Sequence, residues 1–297
     1  MTTISDETGT TAGAPGLLIL TYNVCWQAMT NSCGNSPVCD VDMCRNCPPV
    51  ATDAKLTRCA LNTAHCIDAL PERLGHPGYA FVGLQEASRF WKLQEYAPRT
   101  LGRMEVAHGR SAHETIACFY DGDTFALAHQ PVESRFSHGR PFQILVCAEK
   151  AGSGGVIFVN IHNGHGAQHD MRYLADHLGP AIAALPLSPA EKAYRIVVTG
   201  DFNEAGWDWH SGTLTTPRWK PFESAGIDTS VSISATPPFS CCQSDGDWRA
   251  PGGGIARGQR AGDYVFDSAA TADVQIPPSY DPSYTQSDHL PVMAVLV

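Results

Sequence analysis

The chain of 297 residues has few basic side chains and no long apolar segment. Twenty Lys and Arg stand against 30 Asp and Glu, which gives a formal net charge of −10. A protein that grips long nucleic acid neutralises phosphates with a basic surface, so any surface for a duplex must be local here. No apolar run approaches the roughly 20 residues of a transmembrane helix. The sequence therefore predicts no membrane span.

The N-terminus and the cysteine count also lack the features of a secreted protein. The first dozen residues are small and polar without a basic start, so no secretory signal peptide is predicted. We expect residues 1–15 to form a disordered tail. The 11 cysteines are an odd number, and a secreted disulfide framework has little support without a signal peptide. We expect a soluble, intracellular protein, and no obligatory protein partner is evident.

Polar side chains stand at the ends of several strand-like apolar segments. Residues 17–22, 81–85, 156–159 and 197–199 have strand character and run into polar residues, whereas near the C-terminus the polar residues come first. The side chains at these five strand ends are Asn23, Glu86, His162, Asp201 with Asn203, and Asp288 with His289. Strand ends of this kind present a catalytic edge of a sheet.

Apolar periodicity predicts the elements between these points. Helical stripes begin at Asp53, recur briefly at 90–96 and return at 170–185. Strands are predicted at 79–85, 115–120, 142–148, 155–161 and 195–199, the middle three as an antiparallel meander. Ser188-Pro189-Ala190-Glu191 has the pattern of a capping box that starts a helix with proline at its first position.

Six motifs occur in a characteristic order: YNV at 22–24, LQE at 84–86, NIH at 160–162, GDFN at 200–203, DYV at 263–265 and SDH at 287–289. Together they resemble the endonuclease/exonuclease/phosphatase superfamily, which includes deoxyribonuclease I, abasic-site endonucleases, inositol polyphosphate 5-phosphatases and neutral sphingomyelinases. The resemblance implies an α/β fold, a four-layer sandwich of two facing mixed β-sheets flanked by helices. Because the motifs span about residues 16–297, we expect one catalytic domain there, with a cysteine-rich insertion at 30–52.

The resemblance implies hydrolysis of a phosphate ester with Mg²⁺ or Mn²⁺. Glu86 and Asn23 are a suitable oxygen-ligand set for such an ion, which acts as a Lewis acid on the phosphoryl group. Asp288 is the further carboxylate that the family pattern implies. We therefore expect Asn23, Glu86 and Asp288 to form the metal site.

The family pattern also implies the catalytic side chains. His289 is a phosphate contact or general base, and Asp263 fixes its tautomer. Asp201 orients the attacking water or binds metal, and the sequence does not choose between these duties. Asn203 donates hydrogen bonds to the phosphate.

His162 stands where relatives place a residue that stabilises the transition state or assists the leaving group. The usual family motif continues with leucine or proline, whereas this chain has Asn163-Gly164-His165. That departure makes His165 a candidate substitute, and a solvated loop histidine is the alternative for it.

Candidate substrate contacts follow from arginine and tryptophan positions. Arg257 and Arg260 lie just after Gly252-Gly253-Gly254, and arginine forks bind phosphate through two hydrogen bonds. A solvated, flexible loop is the alternative. Trp207 follows the GDFN motif and either stacks on a base or sugar or packs at the rim of the sheet.

Four cysteines cluster in the insertion after Asn23, namely Cys33, Cys39, Cys44 and Cys47. Four thiolates suit tetrahedral zinc, and the last pair has the two-residue gap of a zinc knuckle. Structural zinc, disulfides and free or partly paired thiols all remain open. In each case the insertion can overhang the metal site and restrict what enters.

The sequence thus predicts a metal-dependent phosphoesterase that hydrolyses a phosphodiester, with a nucleotide or nucleic acid as the favoured substrate. One alternative is a phosphomonoesterase that acts on an inositol phosphate or a lipid headgroup. A catalytically inactive binding module of the same fold is the other.

Overall fold

The computed structural model of the chain describes residues 16–25, 29, 54–110, 115–166, 170–203, 207–208, 213–214, 262–269, 272–275, 287 and 289–297. The predicted tail at 1–15 and the cysteine-rich insertion at 30–52 lie outside these residues. Within them no helix is both long enough and apolar enough to cross a membrane.

The described part contains 14 strands and three α-helices. The strands are β1 (Leu17–Asn23), β2 (Phe81–Gln85), β3 (Glu105–Arg110), β4 (Thr115–Tyr120), β5 (Phe125–Leu127), β6 (Val132–Arg135), β7 (Pro141–Glu149), β8 (Gly155–His162), β9 (Arg195–Asp201), β10 (Trp207–Asp208), β11 (Thr213–Leu214), β12 (Asp263–Asp267), β13 (Ala272–Gln275) and β14 (Val292–Leu296). The helices are α1 (Ala54–Arg73), α2 (Phe90–Tyr96) and α3 (Met171–Ala183). Short 3₁₀ turns lie at Leu101–Arg103 and Glu191–Ala193.

The strands form two six-stranded mixed sheets and a short ribbon. Sheet A has the order β13-β14-β1-β2-β4-β3, in which only β1 and β2 are parallel. Sheet B has the order β12-β9-β8-β7-β5, with β6 also paired to β7, and only β8 and β9 are parallel. The ribbon pairs β10 with β11. The predicted antiparallel meander from β4 to β8 is confirmed in part, because β7 and β8 pair directly but β4 belongs to the other sheet.

Three apolar layers hold the sheets and helices together. α1 and α2 cover the outer face of sheet A through residues such as Ile67, Leu70 and Leu93. α3 covers the outer face of sheet B through Leu174 and Leu178. Between the sheets lies a third core whose members include Ile19, Phe81, Phe158 and Val197. The predicted fold class, two facing mixed sheets flanked by helices, is therefore confirmed.

One local prediction is only half right. The capping box forms, because the Ser188 N–H donates to Glu191 Oε2 at 2.6 Å and the Glu191 N–H donates to Ser188 Oγ at 3.3 Å. The expected helix does not follow, and the chain makes only the 3₁₀ turn at Glu191–Ala193. Pairing of β9 with β8 begins at Arg195, so only residues 189–194 separate Ser188 from the strand, which is less than two turns of α-helix.

Candidate active site

The strand ends meet at one edge of the sandwich. Asn23 ends β1 and Glu86 follows β2, which runs parallel to it. His162 ends β8 and pairs in register with Asp201, the last residue of the parallel strand β9. β12 and β14 run antiparallel to their neighbours, so their first residues lie at this same edge. Asp263 and His289 enter the site in that way.

Asp201 lies at the centre of the site and is buried. The Asn23 side-chain amide donates to its Oδ2 at 2.9 Å, and the Asn203 backbone N–H donates to its Oδ1 at 2.8 Å. The Nε2 atoms of His162 and His289 lie 3.4 Å and 3.6 Å from the same Oδ2. One carboxylate thus connects the end of sheet A to the end of sheet B.

These neighbours determine the charge states. Burial raises the pKa of Asp201, but the two histidines and the hydrogen bonds from Asn23 and Asn203 outweigh it, so that the pKa is lowered below its ordinary value. Burial is the main cause that lowers the pKa of His162, and the nearby Arg140 adds to it, while Asp201 and Glu86 act in the opposite direction. At neutral pH the site therefore holds an ionised Asp201 and an uncharged His162.

His289 and Asp263 form a second buried pair. His289 Nδ1 lies 2.9 Å from Asp263 Oδ2. A carboxylate only accepts hydrogen bonds, so Nδ1 carries the proton and Nε2 is left to face Asp201. Ligand atoms of Asp201, Asp263 and His289 all lie within 4.8 Å of one another, an arrangement compatible with a metal ion.

Two turns at the site have unusual backbone conformations. Glu86 and Asn203 have φ angles of 57° and 53°, in the left-handed region that residues other than glycine rarely adopt. Gly200 has φ 146°, and a Cβ there would lie 2.1 Å from the Ile161 carbonyl oxygen. The close pairing of β8 with β9 thus requires glycine directly before Asp201.

The donor set suits a hard cation. Glu86 contributes a carboxylate that is 19% exposed, and its Oε1 lies 3.8 Å from His162 Nε2. Asn23 Oδ1 accepts one hydrogen bond, from the Cys25 N–H at 3.0 Å, and a carbonyl oxygen has a second lone pair. Oxygen ligands of this type are the ones that Mg²⁺ and Mn²⁺ prefer.

Three side chains that the sequence analysis missed also lie here. Arg140 Nη1 is 3.4 Å from His162 Nδ1, and it precedes β7 directly. His138 Nε2 is 3.2 Å from Asn163 Oδ1. The Asn163 carbonyl accepts from Asn203 Nδ2 at 2.6 Å, which orients the Asn203 amide. Of these three residues, Arg140 could have been found from the sequence, because it stands at the end of an apolar strand-like segment, as the predicted site residues do.

The structure describes the remaining predicted residues to different extents. Asp288, Arg257, Arg260 and the cluster Cys33, Cys39, Cys44 and Cys47 lie outside the described residues. Trp207 is described only as backbone, in the ribbon of β10 and β11. His165 is exposed, whereas His162 lies against Asp201. The geometry thus favours His162 over His165 as the histidine of this motif.

A cavity of about 330 Å³ lies at the opposite end of β1 and β2. Arg99 in its wall is paired with Asp68 and Glu72, and Asp121 accepts from the Asp123 N–H within a turn. This cavity contains none of the strand-end side chains, so we place the site at the edge described above.

Comparisons with known proteins identify the fold. No protein-family model and no curated protein matches the sequence. Similar solved structures include the catalytic domain of human Nocturnin with a bound sulfate anion, at TM-score 0.58 and 14% identity over 94% of this chain and 93% of the other. A mannosyl-6-phosphatase of Bacteroides thetaiotaomicron has TM-score 0.57 and 16% identity over 95% and 99%. An endonuclease/exonuclease/phosphatase of Bacteroides vulgatus has TM-score 0.60 and 16% identity over 96% and 99%.

Proposed function

We propose that this chain, whose fold is that of the endonuclease/exonuclease/phosphatase superfamily, is a metal-dependent phosphoesterase. The observation that carries the proposal is the convergence on Asp201. An amide from sheet A and two histidines, one held by Asp263, all face one buried carboxylate. Such a concentration of ionisable groups at a strand edge is typical of a catalytic centre.

The metal would be held by Glu86 and Asn23, with Asp288 as the further ligand that the sequence motif predicts. When bound, Mg²⁺ or Mn²⁺ polarises the phosphoryl oxygens and neutralises their charge. Glu86 suits this duty because its carboxylate is partly exposed and lies beside His162.

The protein's own groups supply the remaining requirements. Asp201 is ionised, so it can accept a hydrogen bond from the attacking water and orient it. His289, whose Nδ1–H is held by Asp263, keeps Nε2 as an acceptor for the attacking water, and once Nε2 has taken the proton it can donate to a phosphate oxygen. The lowered pKa of Asp201 makes it a weak base, and we therefore assign proton removal to the His289–Asp263 pair.

The leaving oxygen and the phosphate oxygens would be stabilised by neutral and cationic hydrogen-bond donors. His162 is uncharged at neutral pH, so it donates a hydrogen bond and does not start the reaction as a charged acid. Arg140, next to it, adds a guanidinium that can pair with a phosphate oxygen. Asn203 has one amide hydrogen fixed by the Asn163 carbonyl and the other left for a phosphate oxygen.

For the substrate we propose a phosphodiester in a nucleotide or nucleic acid. The acidic chain and the predicted cysteine-rich insertion favour a strand end, a single strand or a small nucleotide over the middle of a duplex. The second candidate is phosphomonoester hydrolysis, which the similarity to a mannosyl-6-phosphatase supports.

A substrate panel separates the two candidates. Single-stranded and duplex DNA, RNA, dinucleotides, inositol phosphates and hexose 6-phosphates are incubated with the protein and Mg²⁺, with Asp201→Ala as the control. Cleavage of diester substrates that Asp201→Ala abolishes is the expected result. Release of inorganic phosphate from the monoesters alone would instead establish the phosphatase, and no hydrolysis in any arm would refute both.

A further inference from the structure

The side chains between the two sheets form three rows along the strands. The first row is apolar and includes Ile19 and Phe81 of sheet A and Phe158 and Val197 of sheet B. Side chains alternate along a strand, so the residues two positions further on face the same gap. They form a polar row, made of Thr21, Gly83, Asn160 and Thr199. Two positions further again come Asn23, Gln85, His162 and Asp201, which border the site.

A pair of carboxamide side chains links the two sheets, with Gln85 from the row that borders the site and Asn160 from the polar row. Gln85 Nε2, from sheet A, donates to Asn160 Oδ1, from sheet B, at 2.7 Å and also to Thr21 Oγ1 at 3.0 Å. Asn160 Nδ2 donates back to the sheet A carbonyl oxygens of Leu84 at 3.1 Å and Ala117 at 3.4 Å. Both side chains are fully buried.

Gly83 provides the space that this arrangement needs. A Cβ at this position would lie 2.8 Å from Asn160 Oδ1 and 2.8 Å from Thr199 Oγ1. Any larger residue would push the Asn160 carboxamide away from sheet A. The hydrogen bond between Gln85 and Asn160 therefore requires glycine at position 83.

Stability alone does not account for this pair. Gln85 Oε1 is buried and has no hydrogen-bond partner among the residues that the structure describes. A buried carbonyl oxygen without a partner destabilises the folded state, and two apolar side chains of similar volume would avoid that cost. Directional hydrogen bonds, however, fix one position of the two sheets, whereas apolar contacts tolerate sliding.

The site depends on that position, because its contacts cross the same gap. Asn23 of sheet A donates to Asp201 of sheet B at 2.9 Å, and Glu86 of sheet A lies 3.8 Å from His162 of sheet B. Gln85 precedes Glu86 directly and pairs in register with Asn23. Asn160 lies two residues before His162.

We propose that Gln85 and Asn160 are positioning residues whose inter-sheet hydrogen bonds hold the metal ligands of sheet A against the histidine and carboxylate of sheet B. The assignment of Asn23 and Glu86 as metal ligands rests on the proposed function. The position of Asn23 relative to Asp201 does not, and it can be measured without metal or substrate.

The test compares two variants of the full chain. Gln85→Met/Asn160→Leu removes both amides together, so that neither amide is left facing an apolar partner, while Thr21 Oγ1 and the carbonyl oxygens of Leu84 and Ala117 each lose one hydrogen bond. Phe158→Leu is the matched control: it opens space in the apolar row of the same inter-sheet layer, where Phe158 stacks on Phe81 with ring centroids 5.1 Å apart. Each protein is measured for its unfolding midpoint, its Mg²⁺ affinity by calorimetry, its turnover, and the NMR signal of the Asn23 side-chain amide.

The proposal predicts opposite effects in the two variants. The double variant should lose no more stability than Phe158→Leu, because the hydrogen bonds that it loses are offset by removal of the unpaired Gln85 Oε1. It should nevertheless lose about tenfold or more in Mg²⁺ affinity and turnover, as outer-shell changes at metal sites do. Its Asn23 amide signal should move toward that of a solvated amide. Phe158→Leu should unfold earlier and keep wild-type turnover, Mg²⁺ affinity and Asn23 signal.

Two results would overturn the inference. One is a double variant with an unchanged Asn23 signal and unchanged Mg²⁺ affinity. The other is a double variant in which all losses simply parallel a fall in stability, as in a purely structural role. If the wild type hydrolyses no phosphate ester, the proposed function fails, but the shift of the Asn23 signal still decides whether the amide pair positions the site.

Discussion

Single residues at this site are constrained in both conformation and charge. Glu86 and Asn203 adopt left-handed backbone angles, and the Asn203 N–H and side-chain amide are both engaged, with Asp201 and Asn163. Strain of this kind persists only where the surrounding structure enforces it, and it is common at functional sites. The charge of the site is constrained as well, because four polar neighbours stabilise the ionised Asp201 carboxylate.

Replacing Asp263 with Asn tests the role of the His289 pair. The amide can keep a hydrogen bond to Nδ1 but cannot stabilise a positive charge on the imidazole. Turnover should fall by roughly 10²- to 10⁴-fold, the range for a general base, with the fold retained. Steady-state kinetics and an unfolding curve measure the two effects. Near-normal turnover in a folded Asp263→Asn protein would show that this pair does not move a proton.

The burial of His162 predicts a pH dependence of stability. Its folded pKa lies below the unfolded value of about 6.5, so between these two values the unfolded chain binds more protons. Stability from the neutral imidazole is complete above pH 6.5 and is lost as pH falls below that value. Urea unfolding at pH 7.5 and 5.5 should show a smaller loss for His162→Gln than for the wild type. If the wild type and His162→Gln lost the same unfolding free energy between these pH values, the pKa of His162 would not differ between the folded and unfolded states.

At the scale of elements, the site depends on how adjacent strands and turns meet. The turn between β6 and β7 brings Arg140 to His162, and Tyr173 of α3 anchors that turn by accepting from the Ser137 N–H at 3.1 Å. Gly200 allows β9 to approach β8 closely enough for His162 and Asp201 to pair.

Gly200→Ala should therefore be strongly destabilising. The new Cβ would meet the Ile161 carbonyl oxygen at 2.1 Å in a backbone conformation that alanine rarely adopts. We expect a loss of about 2–4 kcal/mol, the sum of a strained φ and a steric clash.

Gly75→Ala is the matched control for this prediction. Its φ is also positive, at 71°, but no atom lies within 4 Å of the added Cβ. It should cost only about 1 kcal/mol. Equal losses for the two variants in urea unfolding would show that the contact between β8 and β9 is looser than described.

At the scale of the whole molecule, the sequence predicted the site residues at the strand ends better than the side chains that contact them. The strand ends at Asn23, Glu86, His162 and Asp201 were visible because a buried strand leaves a clear apolar signal up to its last residue. The contacts of Arg140 and Asn163 were not visible, because they depend on how a turn folds back over the sheet edge.

Tertiary pairing also overrode local signals. The capping box at Ser188 formed its hydrogen bonds, but the start of β9 at Arg195 left no room for the helix. The pairing of Gln85 with Asn160, 75 residues apart, had no local signal either, because both residues look like ordinary members of strand motifs. Long-range polar contacts are set by the register between sheets, which a linear pattern does not contain.

The most direct test of the account is the Mg²⁺ dependence of hydrolysis in the wild type and in Glu86→Gln. The wild type should hydrolyse its best phosphate ester with a saturable requirement for Mg²⁺. Glu86→Gln removes the partly exposed carboxylate at the edge, so it should need at least about tenfold more Mg²⁺ and turn over more slowly, with an unchanged unfolding midpoint. Superimposable Mg²⁺ curves for the two proteins would contradict the assignment of the metal site, and with it the central claim.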